Sequence, residues 1–171
     1  MTEAARIEPW LRGTLTALPP VHRAVLHALQ LAGEDIEQWC AELSVEEFNA
    51  RPGGVAPVAF HVRHMARSVD RLLTYAEGQQ LNEAQLAALN GELAANTFPT
   101  KALQELREAL ERAELRVLAL AANHLEASRI VGRQSLATTV GGLLVHIAEH
   151  TQRHVGQAIT TAKIVRAARS A

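Results

Sequence analysis

One cysteine, Cys40, stands among the 171 residues, so no disulfide framework can form within the chain and no zinc site can be built from thiolates. A lone thiol also agrees with a reducing, cytoplasmic compartment. An excess of one charge is missing too, since 17 basic side chains face 18 acidic ones for a formal net charge of -1. Phosphate backbones and anionic lipid select a strongly positive surface, so neither nucleic acid nor a membrane is an expected partner. Long apolar runs are absent. The longest, Leu115 to Ala122, is short and broken by Arg116, and the opening residues Met1 to Pro9 mix charges without an apolar centre. Neither a signal peptide nor a spanning helix is therefore expected. Aromatic residues make up only 4% of the chain, yet it holds 8 histidines.

Strand-favouring residues nowhere alternate with polar ones over a useful length. Apolar positions, rich in alanine and leucine, recur every three or four residues, so the expected fold class is all-α. A chain of this length buries about 70% of the surface its unfolded form exposes, enough for one core, and residues 1–171 are read as one domain. After a short segment around Trp10 and Leu11, Pro19 and Pro20 open a first major helix with Val21, Val25, Leu29, Ile36 and Trp39 on its apolar face, ending near Leu43. Gly33 within it is a candidate kink. The loop Arg51-Pro52-Gly53-Gly54 leads to a second helix from about Ala56 to Ala76, with Pro57 in its first turn. Asn82 caps a short helix through about Leu93 in the crossover, where no pattern of chemical interest is read. Thr100 is the expected cap of a third major helix reaching roughly Asn123, with Leu103, Leu106, Leu110, Val117 and Leu120 inward. Ser135 is the expected cap of a fourth that runs to about Arg169. Four major helices with a longer crossover between the second and third describe a four-helix bundle.

The fourth helix carries His146, His150 and His154, and a spacing of four places the three rings within about 80° on one face. With 8 histidines in 171 residues, two more at the next helical steps arise by chance in roughly 0.2% of cases, which weakens the reading of them as ordinary core histidines. The second helix offers His61 and His64, neighbours at a spacing of three. One helix giving two rings and a facing helix a third is a site for Zn²⁺, Ni²⁺ or Fe²⁺ inside a bundle, and three protein ligands leave a position open for water or substrate. The apolar stripe of the second helix, Val58, Met65, Val69 and Leu72, centres nearer His61, with His64 on its shoulder beside Phe60 and Arg71.

The stretch from Phe60 to Leu73, with His61 and His64, and the stretch His150-Thr151-Gln152-Arg153-His154-Val155-Gly156-Gln157 resemble the two motifs of the DinB/YfiT-like superfamily. That resemblance spans nearly the whole chain. It implies a four-helix bundle, commonly dimeric, with a divalent metal on one histidine of the second helix and two of the fourth, here His64, His150 and His154. His61 and His146 then line the site or hydrogen-bond near the metal, and Gln157, one turn after His154, either orients that ring or makes a plain interhelical hydrogen bond. Glu149, about 100° round the helix from the ring face, reads as a solvated carboxylate rather than a general base. Asp70 and Arg71 read as an ion pair; His22, His27 and His124 lie outside the motifs. Gly141-Gly142 reads as a place of close helix approach, not a nucleotide fingerprint.

A metal on three histidines, zinc or nickel first, can lower the pKa of bound water for hydrolysis or hold a thiolate as nucleophile. The resembling family contains both thiol-dependent S-transferases and metal-dependent hydrolases. The expected activity is thus one or the other on a small molecule, with a low-molecular-weight thiol as a candidate partner and His61 or Arg67 as candidate contacts to its acidic groups. The alternative is a non-catalytic metal-binding or stress-response bundle. A homodimer is expected from the resemblance and from the apolar surface an alanine-rich bundle leaves on its helix faces.

Overall fold

A computed structural model describes residues 7–92 and 96–169. A 3-10 turn, Pro9–Leu11, precedes α1 (Pro20–Cys40), α2 (Val45–Asn49), a 3-10 turn at Pro52–Gly54, α3 (Val58–Ala76), α4 (Glu83–Asn90), α5 (Pro99–Ala119), a 3-10 turn at Ala122–His124, β1 (Ser128–Val131), β2 (Leu136–Thr139) and α6 (Val140–Arg169). The four long helices are α1, α3, α5 and α6. They form the expected bundle: α1 packs on α6, α6 on α3, α3 on α5, and α5 closes back on α1 with the sparsest contact of the four. The longer crossover joins α3 to α5 and carries α4. None of the described helices is long and apolar enough to cross a membrane.

Proline sets the starts of three of these helices, because a fixed φ suits the first turn and the missing N–H is one that no intrahelical acceptor needs. Pro20 and Pro99 occupy first-turn positions of α1 and α5, and Pro57 stands at the cap of α3. Thr100 is thus inside α5 rather than its cap. Asn82 caps α4 as expected, through a reciprocal box in which its side chain accepts from the Gln85 N–H and the Gln85 side chain accepts from the Asn82 N–H. The expected end of this helix, Leu93, lies outside the described residues. Ser44 and Glu47 form a second such box that starts α2, a helix too short to leave a periodic trace. Despite Gly33, α1 is continuous; the glycine admits Leu110 of α5, whose methyl would stand 3.2 Å from a Cβ there.

The largest departure from expectation is the start of α6. Residues 128–139 form an antiparallel hairpin, with Ser128 opposite Thr139 and Val131 opposite Leu136. Ser135 is a turn residue at φ 52, not a helix cap. The cap is Thr139, whose hydroxyl accepts from the Gly142 N–H at 3.0 Å. Gly141 and Gly142 do serve close approach, but of the preceding chain: a Cβ at Gly141 would meet the Leu125 carbonyl at 3.2 Å, and one at Gly142 the Thr138 hydroxyl at 2.9 Å. The hairpin closes one end of the bundle, where Arg129 donates to the Ala76 carbonyl at 2.7 Å. Inside, Ile36, Phe48, Val62 and Met65 fill one end of the core, and Leu26, Val69, Leu73, Leu144 and Ile147 the other. The histidines of α3 and α6 lie along the flank where these two helices meet.

Candidate metal centre

Because α3 and α6 pack with their chains running in opposite directions, a step of three back along α3 matches a step of four forward along α6. His64 therefore meets His150, Nε2 to Nε2 at 2.9 Å, and His61 meets His154, Nδ1 to Nδ1 at 2.9 Å. One ring nitrogen from each of His64, His150 and His154 lies within 4.8 Å of the other two. Tetrahedral ligation at ~2.0–2.1 Å sets such nitrogens about 3.4 Å apart, a separation inside the range these rings span. No other group of three or more metal-ligating side chains comes together among the described residues.

Protonation favours ligation as well. Burial, then the charge of His64, lowers the pKa of His61 to about 4. Burial with the His64 and His146 charges brings His150 to about 4, and burial with His64, His150 and His61 brings His154 to about 3. These imidazoles are neutral at pH 7, the form that binds a metal. The Nδ1 of His150 is buried without a hydrogen-bond partner among the described residues, so its ring is held by the nitrogen that faces the cluster. Donor type, donor spacing and charge state all fit a divalent transition metal.

Phe60 walls the cluster. Its ring stacks on His64 at 5.3 Å between centroids and meets His61 and His154 edge-on. His61 is buried and approaches the cluster only through His154. His146 packs its ring 5.2 Å from that of His150, but its Nδ1 bonds Glu149 at 2.7 Å on the exposed side. Glu149 also accepts from Arg153, and these hydrogen bonds hold its pKa below the ordinary carboxylate value, as befits a solvated ion rather than a base aimed at the site. Gln157 is exposed. Arg67 gives its guanidinium to Glu105 of α5 at 2.6 Å and to the Ala88 carbonyl of α4 at 2.8 Å, so its polar atoms serve the crossover.

The crossover supplies the residue that the sequence reading lacked. Glu92, two residues past the end of α4, is buried, and its Oε2 accepts from Nδ1 of His64 at 2.7 Å while its Oε1 accepts from Arg71 at 2.6 Å. Burial alone would raise this carboxyl, but the two hydrogen bonds and the adjoining charges outweigh it and lower its pKa. Arg71 is accordingly not paired with Asp70, which instead accepts from Arg116 of α5 at 2.7 Å. Arg63, Arg67 and Arg71, four residues apart on α3, all reach this segment: Arg63 donates to the Gly91 carbonyl at 2.6 Å. The sequence reading singled out neither this arginine series nor its acidic counterpart Glu92, which lies beyond the end of α4 where no helical period marks it.

The remaining candidates are structural. Cys40 is fully buried, and burial pushes its thiol up to about 12, far from a thiolate. His22 bonds the Leu120 carbonyl at 2.8 Å, His27 bonds Thr14 at 3.2 Å, and His124 is exposed beyond α5.

No protein of curated function matches the sequence. Among solved structures, YfiT from Bacillus subtilis, described as a probable metal-dependent hydrolase with an unusual four-helix bundle topology, superimposes with a TM-score of 0.60 at 18% sequence identity. The match covers 82% of this chain and 85% of that one, and at such identity it bears on the fold. The sequence profile of the DinB superfamily matches residues 28–158, a span that holds every histidine of the cluster together with Glu92. On that match, which spans most of its length, the chain belongs to the DinB superfamily.

Proposed function

We propose that the protein is a metal-dependent hydrolase of a small molecule, with one divalent transition metal, zinc or nickel, held by His64, His150 and His154. The observation that carries this reading is the convergence of one ring nitrogen from each of His64, His150 and His154 within 4.8 Å, with no fourth side chain in that group among the described residues. Such a metal supplies Lewis acidity and lowers the pKa of water toward neutrality. The chain does the rest: His64, His150 and His154 bind, His61 fixes the orientation of His154, and Phe60 shields one side of the cluster from water. The description of YfiT as a probable metal-dependent hydrolase agrees with this reading. Transfer from a low-molecular-weight thiol at the same centre needs cationic contacts for the thiol's acidic groups, and Arg67 and Arg71 are engaged with Glu105 and Glu92. The hydrolytic reading is therefore preferred over the transferase.

The test is to load the purified protein with Zn²⁺, Ni²⁺ or Co²⁺ and measure metal per chain together with hydrolysis of ester and amide substrates. One metal per chain and hydrolysis that scales with metal content are expected. Failure to take up any of these ions overturns the proposal. Uptake without hydrolysis, accompanied by a sulfur-to-cobalt charge-transfer band on adding small thiols, replaces hydrolysis with transfer.

A further inference from the structure

We propose that Glu92 is a positioning residue that selects the tautomer of His64, and that Arg71 fixes which way Glu92 can act. This inference rests on the reading of His64 as a metal ligand. The carboxylate of Glu92 divides its oxygens between two donors, Oε1 to Arg71 at 2.6 Å and Oε2 to His64 Nδ1 at 2.7 Å. A carboxylate only accepts, so the His64 proton resides on Nδ1 and the lone pair on Nε2. Nε2 is the nitrogen that faces His150 at 2.9 Å, which is where a ligand lone pair has to be. A carboxylate on the outer nitrogen also raises the basicity of a ligating imidazole and locks its ring angle.

The pairing makes a specific demand on substitution. An amide in place of the carboxylate has one accepting oxygen and one donating NH₂, while Arg71 can only donate. The oxygen of Glu92→Gln must therefore turn to Arg71 and its NH₂ to His64. Nδ1 of His64 then becomes an acceptor, the proton moves to Nε2, and the nitrogen facing the cluster is blocked. Removing Arg71 as well frees the amide to turn round, present its oxygen to His64 and restore the first tautomer. A residue that merely held the crossover in place would show no such reversal.

The experiment uses ¹⁵N-histidine spectra of the metal-free protein to read the His64 tautomer, and chelator competition to read Zn²⁺ affinity. In the wild type His64 is expected as the Nδ1–H form. Glu92→Gln is expected to shift it to Nε2–H and to weaken Zn²⁺ binding roughly 10- to 100-fold. The double variant Glu92→Gln with Arg71→Met is expected to recover both readouts in part. Glu105→Gln, which loosens the Arg67 contact to α5 without touching His64, is expected to leave both unchanged. A wild-type Nε2–H tautomer overturns the proposal without need of any variant. Wild-type affinity in Glu92→Gln overturns it while the metal reading stands, whereas no Zn²⁺ uptake by the wild type overturns that reading and the positioning role together.

Discussion

Two seams of this bundle face each other across the core and have opposite character. Between α1 and α5, the sparsest helix contact, lies an open groove of about 500 Å³ floored by Leu26, Leu29, Ile36, Leu103, Leu106 and Leu110 and rimmed by charged side chains such as Glu37 and Arg107. Between α3 and α6, His64, His150 and His154 bring one nitrogen each to within 4.8 Å of one another. A functional pocket needs a few convergent polar groups as well as volume. The α1–α5 groove has volume, and on its rim Arg107 pairs with Glu37 at 3.4 Å. The α3–α6 seam has the convergence, and one of its ring nitrogens, His150 Nδ1, is buried without a hydrogen-bond partner among the described residues.

The comparison breaks most readily by exchanging damage between the seams. His150→Ala or His154→Ala is expected to weaken Zn²⁺ binding by more than the roughly 10- to 100-fold that loss of an outer hydrogen-bonding partner brings, measured by chelator competition. Leu106→Ala, at a buried residue of the α1–α5 groove, should instead destabilise the fold by about 2–5 kcal/mol in denaturant titration and leave Zn²⁺ affinity as it was. The distinction between the seams fails if Leu106→Ala strips the metal.

Acid gives a second, smaller separation. His61, His150 and His154 titrate at about 4, 4 and 3 in the folded chain, well below the ordinary value of about 6.5 they regain on unfolding. Between those limits the unfolded chain binds more protons, so stability of the metal-free protein is full above pH 6.5 and falls as pH drops from 6.5 toward 4. Thermal melts of metal-free protein at pH 7.5 and 5.5 should show the loss, and His154→Gln should reduce it. An unchanged slope in that variant would show that the α3–α6 seam is not the source. The smallest effect belongs to Gly33→Ala in the groove. A Cβ there meets only a terminal methyl of Leu110, which has open groove to move into, so the helix should gain up to about 1 kcal/mol with Zn²⁺ affinity unaltered.

The bundle itself was legible because two signals survive without tertiary context, apolar recurrence every three or four residues in the long helices and proline at the starts of three of them. Residues 128–139 escaped because four-residue strands are too short to show alternation, and Ser135 looked like a cap when the residue performing that role was Thr139. At the site, His150 and His154 were readable from one helix, since a spacing of four fixes two rings on one face whatever surrounds them. His64 over His61 was chosen by resemblance, because the apolar stripe of α3 pointed nearer His61. In the packed structure both histidines reach α6, His61 at His154 and His64 at His150.

What the sequence determined by itself was local: the four long helices, the imidazole ladder on α6, and a chain with one cysteine and no excess of positive charge. These follow from periodicity and composition, which the chain carries along its own length. Only tertiary structure decided that Glu92 reaches His64, that Arg71 rather than Asp70 shares in that bond, and that His146 and Gln157 turn outward. Each of those outcomes depends on where an irregular segment or the end of a neighbouring helix falls in space, and a hydrogen bond of 2.7 Å between residues 28 apart leaves no periodic trace in the chain that makes it.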